Sequence, residues 1–145
     1  MSRARSAPTG RERGQAVIEF ALSAGFLVIL TVSMLELTMF VYNYTVLTDA
    51  AKEGVRYAVV HGSSGSNPSG PGASEEVTST IRAFLAASVH DVSTTSVDVD
   101  VEYPDGTNDP GNRVRVSVSY PYNPLFLVNW ATMTISANSV GRIQF

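Results

Sequence analysis

Arg13-Gly14-Gln15-Ala16-Val17-Ile18-Glu19-Phe20-Ala21-Leu22 leads into a run of 29 residues, Ala16 to Tyr44, in which only Glu19 and Glu36 are charged. A bilayer core takes about 20 predominantly apolar helical residues, so the run is long enough to span with helix to spare. A secretory signal peptide would have an apolar region of about 7–15 residues and a small-residue cleavage site after it. Here the run is too long, and Thr48-Asp49-Ala50 past it is a poor match. The span is expected to stay in the mature chain.

Charge sets its direction. Residues 1–14 hold four arginines and one glutamate, net +3, whereas residues 15–145 hold six basic and twelve acidic side chains, net −6. A basic stub before an apolar span stays in the cytoplasm, which puts the acidic bulk on the other side. An acidic outer part argues against nucleic acid as a partner, because phosphates would be repelled. The chain has no cysteine, which removes disulfide frameworks, thiolate nucleophiles and cysteine metal clusters together.

The helix should run past the membrane. Leu47, Ala50, Ala51, Gly54 and Ala58 fall on one helical stripe, with Asp49, Lys52, Glu53 and Arg56 largely off it. No proline interrupts Thr9 to Asn67. The pattern predicts one helix from Gln15 to Val60, roughly 65–70 Å long, ending at His61-Gly62 with glycine as a left-handed cap. Gly54 inside it costs stability relative to alanine, which suggests close packing there. Residues 62–74 are Ser/Gly/Pro-rich and read as a flexible loop. Ser74 before Glu75 and Glu76 then signals a helix start, and Val77, Ile81, Phe84, Leu85 and Val89 mark an amphipathic second helix.

From Val97 the period changes to two. Val97, Val99, Val101 and Tyr103 alternate with Asp98, Asp100 and Glu102; Val114, Val116, Val118 and Tyr120 alternate with Arg115, Ser117 and Ser119. These predict two antiparallel strands joined by the turn residues Pro104 to Asn112, with acidic and basic outward positions within reach of each other. A crossing with Pro121 and Pro124 carries Phe126 and Trp130 to a third strand, Thr132 to Ile143. There Val140 breaks the phase of Met133, Ile135 and Ala137, which predicts a bulge near Asn138. The expected fold class is α+β: a long transmembrane helix continuing into a small domain with a second helix and an antiparallel sheet of about three strands.

Three motifs carry a family resemblance: Arg-Gly-Gln-Ala-Val-Ile-Glu-Phe-Ala-Leu (13–22), Leu-Glu-Leu (35–37) and Ala-Ala-Lys-Glu-Gly-Val-Arg-Tyr-Ala (50–58). With them the chain resembles the TadE-like pseudopilins of the tight-adherence branch of type IV pilus machines. The likeness spans roughly residues 13–60, and the strand region is similar in layout only. One departure is Gly25, where such helices often carry a proline; either residue loosens the helix.

The resemblance implies that a prepilin peptidase cuts between Gly14 and Gln15 on the cytoplasmic side. Residues 1–14 would then be a cleaved basic leader, 15–60 the helix, and 61–145 an exported domain. Glu19, with Phe20 beside it, would pin the register of assembly by meeting the N-terminal amine of a neighbouring subunit. Glu36, about 32 Å along the helix from Gln15, is a candidate second contact near the far interface. The implied partners are the peptidase, other pilins or pseudopilins and the pilus assembly platform. The implied location is the bacterial cytoplasmic (inner) membrane, single-pass, with the N-terminus in the cytoplasm and the C-terminal domain periplasmic or extracellular. A minor pseudopilin role is expected, since major pilins of this branch are usually much shorter and tend to have Glu-Tyr in place of Glu19-Phe20. The rivals are a major filament-forming pilin and a membrane-tethered binding domain.

Other polar clusters read as structural. Asp98, Asp100 and Glu102 share one strand face over about 13 Å, too spread for one ion. Asp105 to Asp109 lacks the spaced acids and terminal glutamate of an EF-hand loop. His61 and His90 border helix ends. No catalytic constellation, metal site or cofactor is expected.

Overall fold

The computed structural model describes residues 10–65, 67–88, 96–124 and 133–144, with side chains from residue 14 onward. Expectations for residues 1–9 and for Val89, His90, Phe126, Trp130 and Thr132 lie outside the described residues. The element order is α1 (Gly10–Val60), α2 (Glu75–Ser88), β1 (Asp98–Glu102), β2 (Arg113–Tyr122) and β3 (Met133–Arg142). The fold is α+β, as the change of period predicts. Two compact units divide the chain, Met1–Thr38 and Met39–Phe145.

The first unit holds the opening half of α1. The helix starts five residues before the predicted Gln15; Arg11-Glu12-Arg13 are good helix formers and the last proline is Pro8. Its large apolar side chains are bare: Val17, Phe20, Leu22, Phe26 and Ile29 are all more than 60% exposed. Three hydroxyls within the run are satisfied by the helix's own backbone. Thr31 and Ser33 each donate to the carbonyl four residues back (Leu27 and Ile29) at 2.8 Å, and Thr38 does the same to Met34 at 2.9 Å. That arrangement suits hydrocarbon, where no water can partner a free hydroxyl. The helix passes through Gly25 without a break, and a Cβ there would meet open space.

The second unit forms one core from three sources. From α1 come Leu47, Ala50, Ala51, Val55 and Ala58; from α2 Val77, Ile81 and Leu85; from the sheet chiefly Val114, Val116, Val118, Ile135 and Ala137. The predicted α1 stripe is buried, while Asp49, Lys52 and Arg56 are exposed. An isolated 14-residue helix is marginal in water. Burying Val77, Ile81 and Leu85, at about 1.5–3 kcal/mol each, is what holds α2 in place. It lies antiparallel to α1: Tyr42 Oη donates to the Ser88 carbonyl at 3.2 Å, and Tyr57 Oη to Glu76 Oε2 at 2.9 Å.

The sheet order is β1-β2-β3, with both pairings antiparallel. Glu102 and Arg115, cross-strand partners, meet at 3.3 Å on the outward face. Three local expectations need correction. No bulge interrupts β3, whose register with β2 is regular from Arg113↔Arg142 to Tyr122↔Met133. Val140 simply points outward, 52% exposed. The inward position is taken by Gly141, where a Cβ would come within 2.8 Å of Val59 Cγ2 and collide with Val55. A glycine inside the alternation looked like a loss of phase because it has no side chain to count.

Pro121 belongs to β2 rather than to the crossing, pairing with Thr134. β1 pairs only as far as Ser119, so among the described residues β2 has no strand partner on that side beyond this point, where no N–H is required. Gly62 does not adopt a left-handed conformation; the positive-φ glycines are Gly72, Gly106 and Gly111. The helix end is satisfied otherwise. Ser69 donates its N–H (2.7 Å) and its Oγ (3.0 Å) to the His61 carbonyl, and Gln144 N–H donates to the Val59 carbonyl at 3.1 Å.

Candidate assembly site on the N-terminal helix

Gly14, Gln15, Glu19 and Phe20 all lie on exposed positions of α1, with Phe20 74% exposed. Gln15 and Glu19 are four residues apart and so share one face, a single turn from each other. The Glu19 carboxylate sits near the edge of the apolar run. Glu36 is 8% exposed, unlike its neighbours Leu35 and Leu37 at 54% and 62%. It projects about 100° around the helix from Glu19, so the two acids do not present one continuous face.

Gly54 is placed differently. A Cβ there would lie 2.5 Å from Ile81 Cδ1, 2.8 Å from Ile81 Cγ1 and 3.3 Å from Val116 Cγ1. The glycine lets α1, α2 and β2 approach within the chain's own core, so its close packing is internal rather than between subunits. Glu53 and Arg56 sit 3.7 Å apart on the surface; an exposed i,i+3 pair of this kind contributes little.

Two tethers were not legible in advance. Glu76 accepts from Tyr57 Oη through one oxygen and from Asn67 Nδ2 (2.7 Å) through the other, tying the loop to both helices. The Glu76 carboxylate, aided by partial burial, raises the Tyr57 hydroxyl above its usual pKa. The sequence marked Glu76 only as an acid in a first turn. The loop is tied again where Asn108 Nδ2 donates to the Ser69 carbonyl at 3.0 Å.

Asp105 is the second. Arg113 donates from Nη2 to Oδ1 at 2.7 Å, and from Nε (3.2 Å) and its backbone N–H (2.8 Å) to Oδ2. These bonds hold the Asp105 carboxyl down to about 2 and raise the Arg113 pKa. The carboxylate is thus committed to closing the β1–β2 turn, and the Asp109 carboxylate accepts from Thr107 Oγ1 at 2.8 Å. Among the described residues, no group of three or more histidines and acids is gathered as a metal site.

A pH dependence follows. A depressed folded pKa means that the tie's contribution is present above the unfolded value, about 3.9, and is lost as pH falls through about 2. Amide protection at residues 103–113 is expected to drop across that interval and to be low already at pH 6 in Asp105→Asn. Unchanged protection in the variant would remove the tie from the account of this turn.

The fold and the bare helix define a class: a small α+β protein with a pilin-like N-terminal helix long and apolar enough to cross a membrane. The family model described as TadE-like protein matches residues 14–56, so over this helix the chain is similar to TadE-like proteins. The match starts at Gly14 and ends at Arg56, leaving α2 and the sheet outside it. No curated protein and no solved structure matches the chain.

Proposed function

We propose that this chain is a minor pseudopilin of a tight-adherence type IV pilus assembly system. Prepilin peptidase cuts between Gly14 and Gln15 on the cytoplasmic face. The helix then packs with other pilin-type subunits at the assembly platform, while α2 and the sheet lie outside the cytoplasmic membrane. One observation carries the reading: the TadE-like match opens at Gly14 on a helix whose large apolar side chains are bare. A surface of that extent needs lipid or other helices to cover it. The class is non-enzymatic, and the proposed role is structural.

The minor role rests on the 145-residue length and on Phe20 after Glu19, since major pilins of the branch tend to be much shorter with tyrosine there. Purified filaments built chiefly from this polypeptide would reverse that assignment. The processing step has its own test. Mass spectrometry of the membrane-extracted protein should give a mature chain beginning at Gln15 in cells with the peptidase, and an uncut chain in cells lacking it. A different mature start in the first case would count against the proposal.

A further inference from the structure

A glutamine stands directly after Gly14, and the proposed cut changes its chemistry more than that of any other residue. In the uncut chain its backbone nitrogen is an amide and its side chain is inert. As a first residue, Gln15 carries a primary amine separated by three carbons from its own side-chain carbonyl, the spacing that closes a five-membered ring. Groups so placed react without the entropic cost of an encounter. The surroundings leave the side chain free. Gln15 is exposed, and beyond the adjoining residues and the helix's own backbone nothing lies within 4 Å of a Cβ built at Gly14. Glu19, on the same face one turn along, is the first charged side chain after it.

We propose that mature Gln15 is a self-modification site, closing to pyroglutamate unless a Glu19 carboxylate holds its amine. The amine nitrogen attacks Cδ, the Cδ–Nε2 bond breaks, and ammonia leaves with a proton from the amine. No oxidant, metal or co-substrate is consumed. Only the neutral amine has the lone pair for this attack. Unsatisfied N–H groups and the dipole at a bare helix start disfavour a positive charge, which supports the neutral amine. A carboxylate at contact favours the protonated form and so opposes closure. The lactam is uncharged, and losing a terminal charge removes every interaction built on it. A chain that is cut but not packed therefore loses with time the group its assembly uses, whereas a packed chain keeps it.

This inference rests on the proposed cut after Gly14, and the test separates the two. Membranes from cells with the peptidase are dissolved in detergent together with an amine-capping reagent, so that no ring closes during work-up. Trypsin then cuts only after arginine and releases a peptide that ends at Arg56, starting at Gly14 in an uncut chain and at Gln15 in a cut one. The parent should show a share of the cut peptide that is uncapped and lighter by one ammonia, growing once protein synthesis is stopped and absent in Gln15→Ala. That share should be at least about twofold larger in Glu19→Gln, and larger in chains free in the membrane than in those sedimenting with pilus assemblies. Complete capping at Gln15 overturns the modification and leaves the cut standing. Equal shares, in the variant or between the two fractions, overturn the protection by Glu19. A parent peptide starting at Gly14 overturns the cut, and the modification with it.

Discussion

Glu19→Ala is expected to abolish piliation and surface attachment while the amount of protein in the membrane stays level or rises. The two halves of that result have opposite causes. A charged side chain in the apolar run opposes insertion by about 2.5–3.5 kcal/mol at a helix centre, less near an interface. Removing it makes the span easier to insert, so a loss of function cannot come from poor membrane entry. In the proposed assembly the same carboxylate meets the amine exposed at Gln15 of a neighbouring subunit. At low dielectric, opposite charges at contact attract strongly, whereas a lone charge left behind is heavily penalised. Alanine leaves the neighbour's amine in that position, and subunits lose the contact that sets their axial register.

The variant also separates the rival roles. A helix serving only as a tether for a binding domain has no use for a carboxylate one turn past Gln15, so Glu19→Ala would leave it functional. Glu19→Gln sharpens the comparison, because it keeps shape and hydrogen bonding and removes only the charge. Counting surface filaments by electron microscopy beside a membrane immunoblot reads both quantities at once. Normal filament numbers in either variant, at normal protein level, would mean that Glu19 merely reaches the headgroups.

How far the chain could be read in advance depended on how much each position had to say by itself. The α1 stripe from Leu47 to Ala58 and the alternating valines of β1 and β2 were legible because burial of one face imposes a period. The long apolar helix was legible because a run so nearly free of charge and of proline carries its own signal. Gly141 and Pro121 misled for a common reason: their fit depends on neighbours distant in sequence. Gly141 is inward because Val55 and Val59 of α1 press on it, and Pro121 is tolerated because β1 has already ended. Glu76 and Asp105 announced themselves only as acids near a helix start and in a turn. Their partners, Tyr57 and Arg113, come from other elements or beyond the turn, and no periodicity points to them. At the candidate assembly site, the spacing of Gly14 and Glu19 was visible at once, since both lie within about one and a half turns of a single helix.

Gly54→Ala is expected to destabilise the second unit, although alanine is the better helix former. Propensity alone favours alanine by about 0.5–1 kcal/mol. Against it stands a Cβ placed 2.5 and 2.8 Å from two atoms of Ile81, a residue with no exposed surface, and 3.3 Å from Val116 Cγ1. Turning the Ile81 terminal methyl clears only the nearer of its two atoms, because Cγ1 is too close as well and a β-branched side chain is stiff at χ1. Overpacking of this kind costs about 1–3 kcal/mol, so the expected net loss is about 1–2 kcal/mol, or roughly 4–8 °C in Tm per kcal/mol for a unit of this size. Ile81→Val removes Cδ1 and by itself costs about 0.5–1.5 kcal/mol. In Gly54→Ala with Ile81→Val, the cavity and the added methyl offset each other, so the double variant should melt above the temperature predicted by adding the single losses. Thermal unfolding of the full chain in detergent, followed by circular dichroism, gives all three values. A Gly54→Ala protein that melts above the parent would mean that α1, α2 and β2 are not pressed together at this glycine.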